Sequence, residues 1–121
     1  MKWKGYLMNE DRLLIITRLK KTYEYTLKSL ENYPHKFLEL KQNINRTMLE
    51  MIELCYIANN GYDKKKNQVV CLSKLSMVDY YLKLSYKEEI ISKKKYESIS
   101  KHLLEINLMI RSWMDKNEKS E

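Results

Sequence analysis

Along this chain apolar residues recur at alternating intervals of three and four, the spacing that a helix gathers onto one face. Four stretches show it. The first runs from about Glu10 to Glu31, with Leu13, Ile16, Leu19, Tyr23, Leu27 and Leu30 on one side. Asn9 stands at its N-cap position, and Glu10 and Asp11 suit the positive end of the helix dipole. Tyr33-Pro34 ends the pattern, because the residue before a proline avoids helical geometry. The second stretch, from about Lys36 to Asn60, carries Phe37, Leu40, Ile44, Met48, Met51, Cys55 and Ala58. It stops at Asn60-Gly61, where glycine accepts the left-handed cap conformation. After a polar loop, Tyr62 to Lys66, the third helix starts near Gln68 and ends near Ile91, striped by Cys71, Leu75, Val78, Leu82 and Tyr86. Ser92 is placed to cap the fourth, with Ile91 and Tyr96 at the two positions of a hydrophobic staple. Tyr96, Ile99, Leu103, Ile106, Ile110 and Trp113 then form its stripe.

Helices of about 22 residues are about 33 Å long, and short links make sequential helices antiparallel neighbours. The expected fold is therefore all-α, an antiparallel up-down-up-down four-helix bundle over residues 10–114. Residues 1–9 form an N-terminal extension and residues 115–121 a flexible polar tail in this reading. Composition removes the rivals. With two Gly and one Pro, the chain lacks the turn residues of a β-sandwich or barrel and cannot build a Gly-rich phosphate loop.

Two helices carry more apolar surface than one core stripe needs. On the second, Leu38, Leu49 and Tyr56 stand well away from the core positions, with Ile52 between. On the third, Val70, Met77, Tyr81, Leu84 and Ile91 lie roughly opposite the core. Scattered surface hydrophobes are common, but these are large and aligned. They predict self-association through a face made by helices two and three, with Leu38, Leu49, Tyr56, Val70, Met77, Tyr81 and Leu84 as the interface.

Charge changes the picture next. The net charge of +7 points towards polyanions, nucleic acid first and an anionic membrane surface second. Arg18, Lys21 and Lys28 share one face of the first helix. Lys83 and Lys87 sit one turn apart beside Tyr80 and Ser76, a basic strip with an aromatic ring in it. Lys93, Lys94 and Lys95 open the fourth helix, the end where the dipole disfavours cations. These eight residues are the candidate phosphate contacts, a kind of contact that gives affinity without reading sequence. Arg46, among Glu39, Glu50 and Glu53, reads as internally neutralised.

Groups for catalysis are sparse. His35 and His102 have no metal-ligand partner at a suitable spacing, and no paired carboxylate signature of a di-iron bundle occurs. Asp79 reads as a structural ion-pair partner, with Arg111 as one candidate, and Asn107 as a core-edge residue that sets register. No catalytic residue, metal or cofactor is expected, and an enzyme is not expected. Apolar runs such as Leu13 to Ile16 are far short of the ~20 residues of a membrane span. Acidic residues stand where a signal peptide would be apolar. A cytoplasmic location with no membrane partner follows as the expectation, and Cys55 and Cys71 should then stay reduced.

Two segments together carry a resemblance. One is Tyr33-Pro34 followed by Leu40-Lys41-Gln42-Asn43-Ile44 and then Glu50 through Ala58-Asn59. The other is Lys95-Tyr96-Glu97-Ser98-Ile99-Ser100, leading to Glu105 through Ile110 and Trp113. The chain thereby resembles the Avd proteins, the accessory variability determinants of diversity-generating retroelements, and their relatives, the 23S rRNA intervening-sequence proteins. It departs from them at Leu40-Lys41-Gln42, where Leu-Gly-Gln is usual, and at Arg111-Ser112, where Gly-Gly precedes the final Trp. The resemblance implies a bundle that assembles into a homopentameric barrel. It implies a basic surface that binds RNA and DNA with little sequence preference, and association with the retroelement's reverse transcriptase during mutagenic copying. A protein–protein adaptor, whose charge serves only solubility, is the alternative from a different class; an intervening-sequence role is the other.

Overall fold

The computed structural model describes residues 14–120, with side chains to Asn117. The N-cap Asn9, the acidic first turn and Leu13 lie outside them. Four helices account for nearly all of the described chain: α1 Leu14–Leu30, α2 Leu38–Asn59, α3 Lys64–Lys87 and α4 Lys93–Ser120. A 3₁₀ turn, His35–Phe37, leads into α2. Consecutive helices pack side by side and α1 closes against α4.

Cross-helix bonds fix the directions. Between α1 and α4, Arg18 meets Glu105 and Tyr25 meets Ser98. Between α2 and α3, Glu50 meets Lys74 and Cys55 meets Cys71. Between α3 and α4, Gln68 meets Asn117 and Asp79 meets Ser100. In each pair one number rises as the other falls, so neighbours run antiparallel and the bundle goes up, down, up, down.

The links use two kinds of punctuation. Both α2 and α3 end in a Schellman motif, in which a left-handed residue turns the last free carbonyls onto following amides. After α2, Gly61 has φ 87 and its N–H bonds Ala58 O, while the Tyr62 N–H reaches Ile57 O. After α3 the left-handed residue is Glu89, at φ 61, with Ile90 N–H on Ser85 O. Ser92 then caps α4, its Oγ accepting from the Lys95 N–H at 3.0 Å. Lys64, Lys65 and Lys66 were expected in a loop but form the first turn of α3. The Asn67 side chain makes this possible by donating to the Tyr62 and Asp63 carbonyls.

Ile16, Leu19 and Leu30 of α1 meet Ile44, Met48, Met51 and Cys55 of α2, Leu75, Val78 and Leu82 of α3, and Ile99, Leu103, Ile106 and Ile110 of α4. The α1 stripe differs from expectation at one place. Leu27 is exposed, while Thr22 and Thr26 are buried. Each threonine donates its hydroxyl to a carbonyl one turn back, Arg18 O and Thr22 O, so it enters the core without needing a partner across the bundle. Ile91, assigned to the outer stripe, instead joins the core at the α3–α4 turn. The boundary expected at 114 is not a helix end: α4 continues to Ser120, and the Asn117 amide donates to the buried Gln68 Oε1 at 2.6 Å. Among the described residues no helix is long and apolar enough to cross a membrane.

Candidate nucleic-acid interface

Arg18, Lys21, Tyr25 and Lys28 recur at three- and four-residue intervals and line the α1 side of a groove against α4. Across it stand Lys95, Ser98, His102 and Glu105. The middle of the groove holds about 310 Å³ between Arg18, Lys21, Thr22, Tyr25 and His102. Tyr25 is its pivot. The Tyr25 phenol oxygen lies 3.1 Å from Ser98 Oγ and accepts from Lys95 Nζ at 3.2 Å, and that ammonium also sits 4.4 Å over the ring. The hydrogen bond with Ser98, and then the one with Lys95, hold this phenol below its ordinary range. His102 meets the Tyr25 ring edge-on at 5.9 Å.

The eight basic candidates are therefore not equivalent. Arg18 donates to Glu105 at 2.6 Å, and its charge is matched within the fold. Lys95 is turned inward onto Tyr25. Lys21, Lys28, Lys83, Lys87, Lys93 and Lys94 are exposed and form no ion pair among the described residues. Lys93 is one heptad before Ser100, which faces α3, so it lies on the α3 side of α4. Lys94 points between the two edges. The set divides into an α1–α4 edge (Arg18, Lys21, Lys28, Lys95) and an α3 strip (Lys83, Lys87). Both approach the pole where α1 and α3 end and α4 begins. Sequence spacing missed Tyr25, Ser98 and His102, because a groove partner on another helix leaves no periodic signal.

The second apolar stripe also divides. Leu49 and Tyr56 are one heptad apart on the side of α2 that meets α1, where Lys20 Nζ lies 5.0 Å over the Tyr56 ring. Val70, Met77, Tyr81 and Leu84 share a face with Lys74 on the side of α3 that meets α2, where Lys74 donates to Glu50. Leu38, Leu49 and Met77 are exposed; Tyr56 and Tyr81 pack partly against the core, and Val70 and Leu84 are half-buried. Arg46, Glu50 and Glu53 of α2 lie beside Leu49, and Glu50 meets Lys74 of α3, so polar residues stand between the two groups. Two apolar residues of α4, Leu104 and Leu108, are each 59% exposed and were not singled out by spacing.

Three side chains expected in ion pairs bond elsewhere. Arg46 donates to Asn43 Oδ1 and Arg111 to Asn107 Oδ1, neither to a carboxylate among the described residues. Asp79 accepts from Ser100 Oγ at 2.8 Å and from the Tyr96 phenol at 3.3 Å. Partial burial raises the Tyr96 phenol, and the Asp79 charge acts in the same direction. Among the described residues short hydroxyl donors reach this carboxylate where no cation does. Among the described residues no three of His, Cys, Asp and Glu gather as a metal site would need.

Set against known protein families, residues 13–117 match the one described as bAvd-like. No curated protein matches the chain.

Proposed function

The chain belongs to the bAvd-like family, and from that membership we propose that it is a non-catalytic accessory protein of a diversity-generating retroelement. In this role it binds RNA and DNA through backbone phosphates and serves the reverse transcriptase as an oligomeric scaffold during mutagenic cDNA synthesis. The observation that carries the nucleic-acid part is the set of exposed lysines without carboxylate partners among the described residues: Lys21, Lys28, Lys83, Lys87, Lys93 and Lys94. Folding does not ask for them, and two stand at a helix N-terminus that disfavours cations. Phosphate contacts of this kind release counterions, so RNA affinity measured by filter binding should fall by orders of magnitude between about 50 and 200 mM salt. Weak binding indifferent to salt overturns the reading.

Exposed Leu38, Leu49 and Met77 support self-association, for which the family resemblance supplies a pentamer. They equally suit an adaptor that docks a protein partner. Lys83→Glu with Lys87→Glu separates the two: lost nucleic-acid binding with the oligomer intact supports the first, and no change in either supports the second. A reverse transcriptase and a template repeat beside the gene would distinguish the retroelement role from an intervening-sequence one.

A further inference from the structure

The α3 strip carries a feature that phosphate contact alone does not use. Tyr80 is 56% exposed, and its phenol makes no hydrogen bond among the described residues. Lys83 follows it by three residues and Lys87 by seven, so ring and ammonium groups line one outer side of α3. Among the described residues the ring's one aromatic neighbour is Tyr81, 6.2 Å away and tilted by 49°, which leaves it unstacked.

Other aromatic rings near lysines are already engaged. Lys20 covers Tyr56, Lys36 covers Phe37, Lys64 covers Trp113 and Lys95 covers Tyr25. Tyr62 is more exposed than Tyr80 but adjoins Asp63, whose exposed carboxylate repels a phosphate. Among the described residues Tyr80 keeps exposed lysines beside it, and the acid that precedes it, Asp79, is half-buried and turned onto Ser100 and Tyr96 of α4.

We propose that this strip binds single-stranded nucleic acid, with Tyr80 stacking on an unpaired base while Lys83 and Lys87 hold the phosphates that flank it. The inference rests on the reading of the protein as nucleic-acid-binding and names the substrate class. Every base has a π-face, so a stacking platform tolerates any sequence, but a duplex keeps its bases stacked on one another and offers none to a surface ring. Lysines alone would hold duplex and single strand alike. The free ring is what distinguishes them.

The test is fluorescence anisotropy of the full chain with a labelled thymidine homopolymer of about 20 nucleotides and a duplex of the same length. Tyr80→Ala should weaken single-strand binding by between about 5- and 100-fold and leave duplex binding unchanged, while Tyr80→Phe keeps wild-type affinity. Should the alanine variant misfold, Tyr80→Trp gives a second readout: its added emission should be quenched by the homopolymer and not by the duplex. Equal losses for both nucleic acids, or no loss for either, overturn the proposal. If Lys83→Glu with Lys87→Glu abolishes binding while Tyr80→Ala has no effect, nucleic-acid binding stands and the stacking role falls. An altered oligomer mass with unchanged binding assigns Tyr80 to a protein contact and likewise overturns it. If the wild-type chain binds neither nucleic acid, both readings fall.

Discussion

Cys55 and Cys71 face each other across α2 and α3 with their sulfurs 3.7 Å apart, both buried, and the Cys71 thiol also reaches the Met51 carbonyl at 3.6 Å. The neighbouring Cys71 sulfur, and then burial, push the Cys55 thiol far above its ordinary value of 9.0. A thiol is nucleophilic only as thiolate, so the native protein should not react with a thiol reagent at mildly alkaline pH, and two equivalents should react once it is unfolded; a fast native reaction refutes this burial. The same shift has a sign for stability. The unfolded thiol releases its proton near 9.0 while the folded one keeps it. Stability is therefore fully present below that value and is lost as pH rises above it. Cys55→Ala should flatten the decline in urea midpoint between about pH 8 and 10. Arg18 makes a contrasting case. Its pair with Glu105 is more than one-third exposed, so Arg18→Ala should cost less than about 1 kcal/mol of stability. Because that charge is already matched, the substitution should weaken RNA binding less than Lys21→Ala does in the same filter assay.

At the scale of the element, the two Schellman turns make opposite predictions. Gly61 has open space where a Cβ would go but a φ of 87, so Gly61→Ala is penalised by backbone strain alone. It should lower stability by about 1 kcal/mol, read from the denaturant midpoint. Glu89 already bears that strain at φ 61, and Glu89→Gly should raise stability by about 0.5–1 kcal/mol. Removing the α4 cap with Ser92→Ala should cost about 1 kcal/mol. These ends were largely legible in the sequence: Asn60-Gly61 and Ser92 stop and start helices where spacing placed them. Glu89 was not legible, since a non-glycine left-handed residue is chosen by the turn around it and not by its own preference. Thr22 and Thr26 escaped for a similar reason, because an alcohol that bonds its own helix counts as polar in a pattern yet packs as apolar. Within the candidate interface, spacing found the lysines but not their inequality. One lysine of each helix-opening trio lies over an aromatic ring of a neighbouring helix, Lys64 over Trp113 and Lys95 over Tyr25. Which one turns inward depends on what stands opposite.

For the whole molecule, splitting the outer apolar residues between two grooves bears on assembly. Leu49 and Met77 lie on opposite sides of the polar ridge of α2. If both grooves carry subunit contacts, Leu49→Glu and Met77→Glu should each reduce the mass seen by light scattering, with nearly additive effects. A wild-type monomer at tens of micromolar would remove the oligomer altogether. The alternation of the helices has a consequence of its own. Two of them end where the other two begin, so the peptide dipoles at each pole oppose and largely cancel. At that pole the side chains set the field, Lys28, Lys87, Lys93 and Lys94 against the exposed carboxylates of Glu31, Glu39, Glu88 and Glu89, with little from the backbone. A field built of surface side chains can be retuned one substitution at a time, leaving the scaffold beneath it untouched.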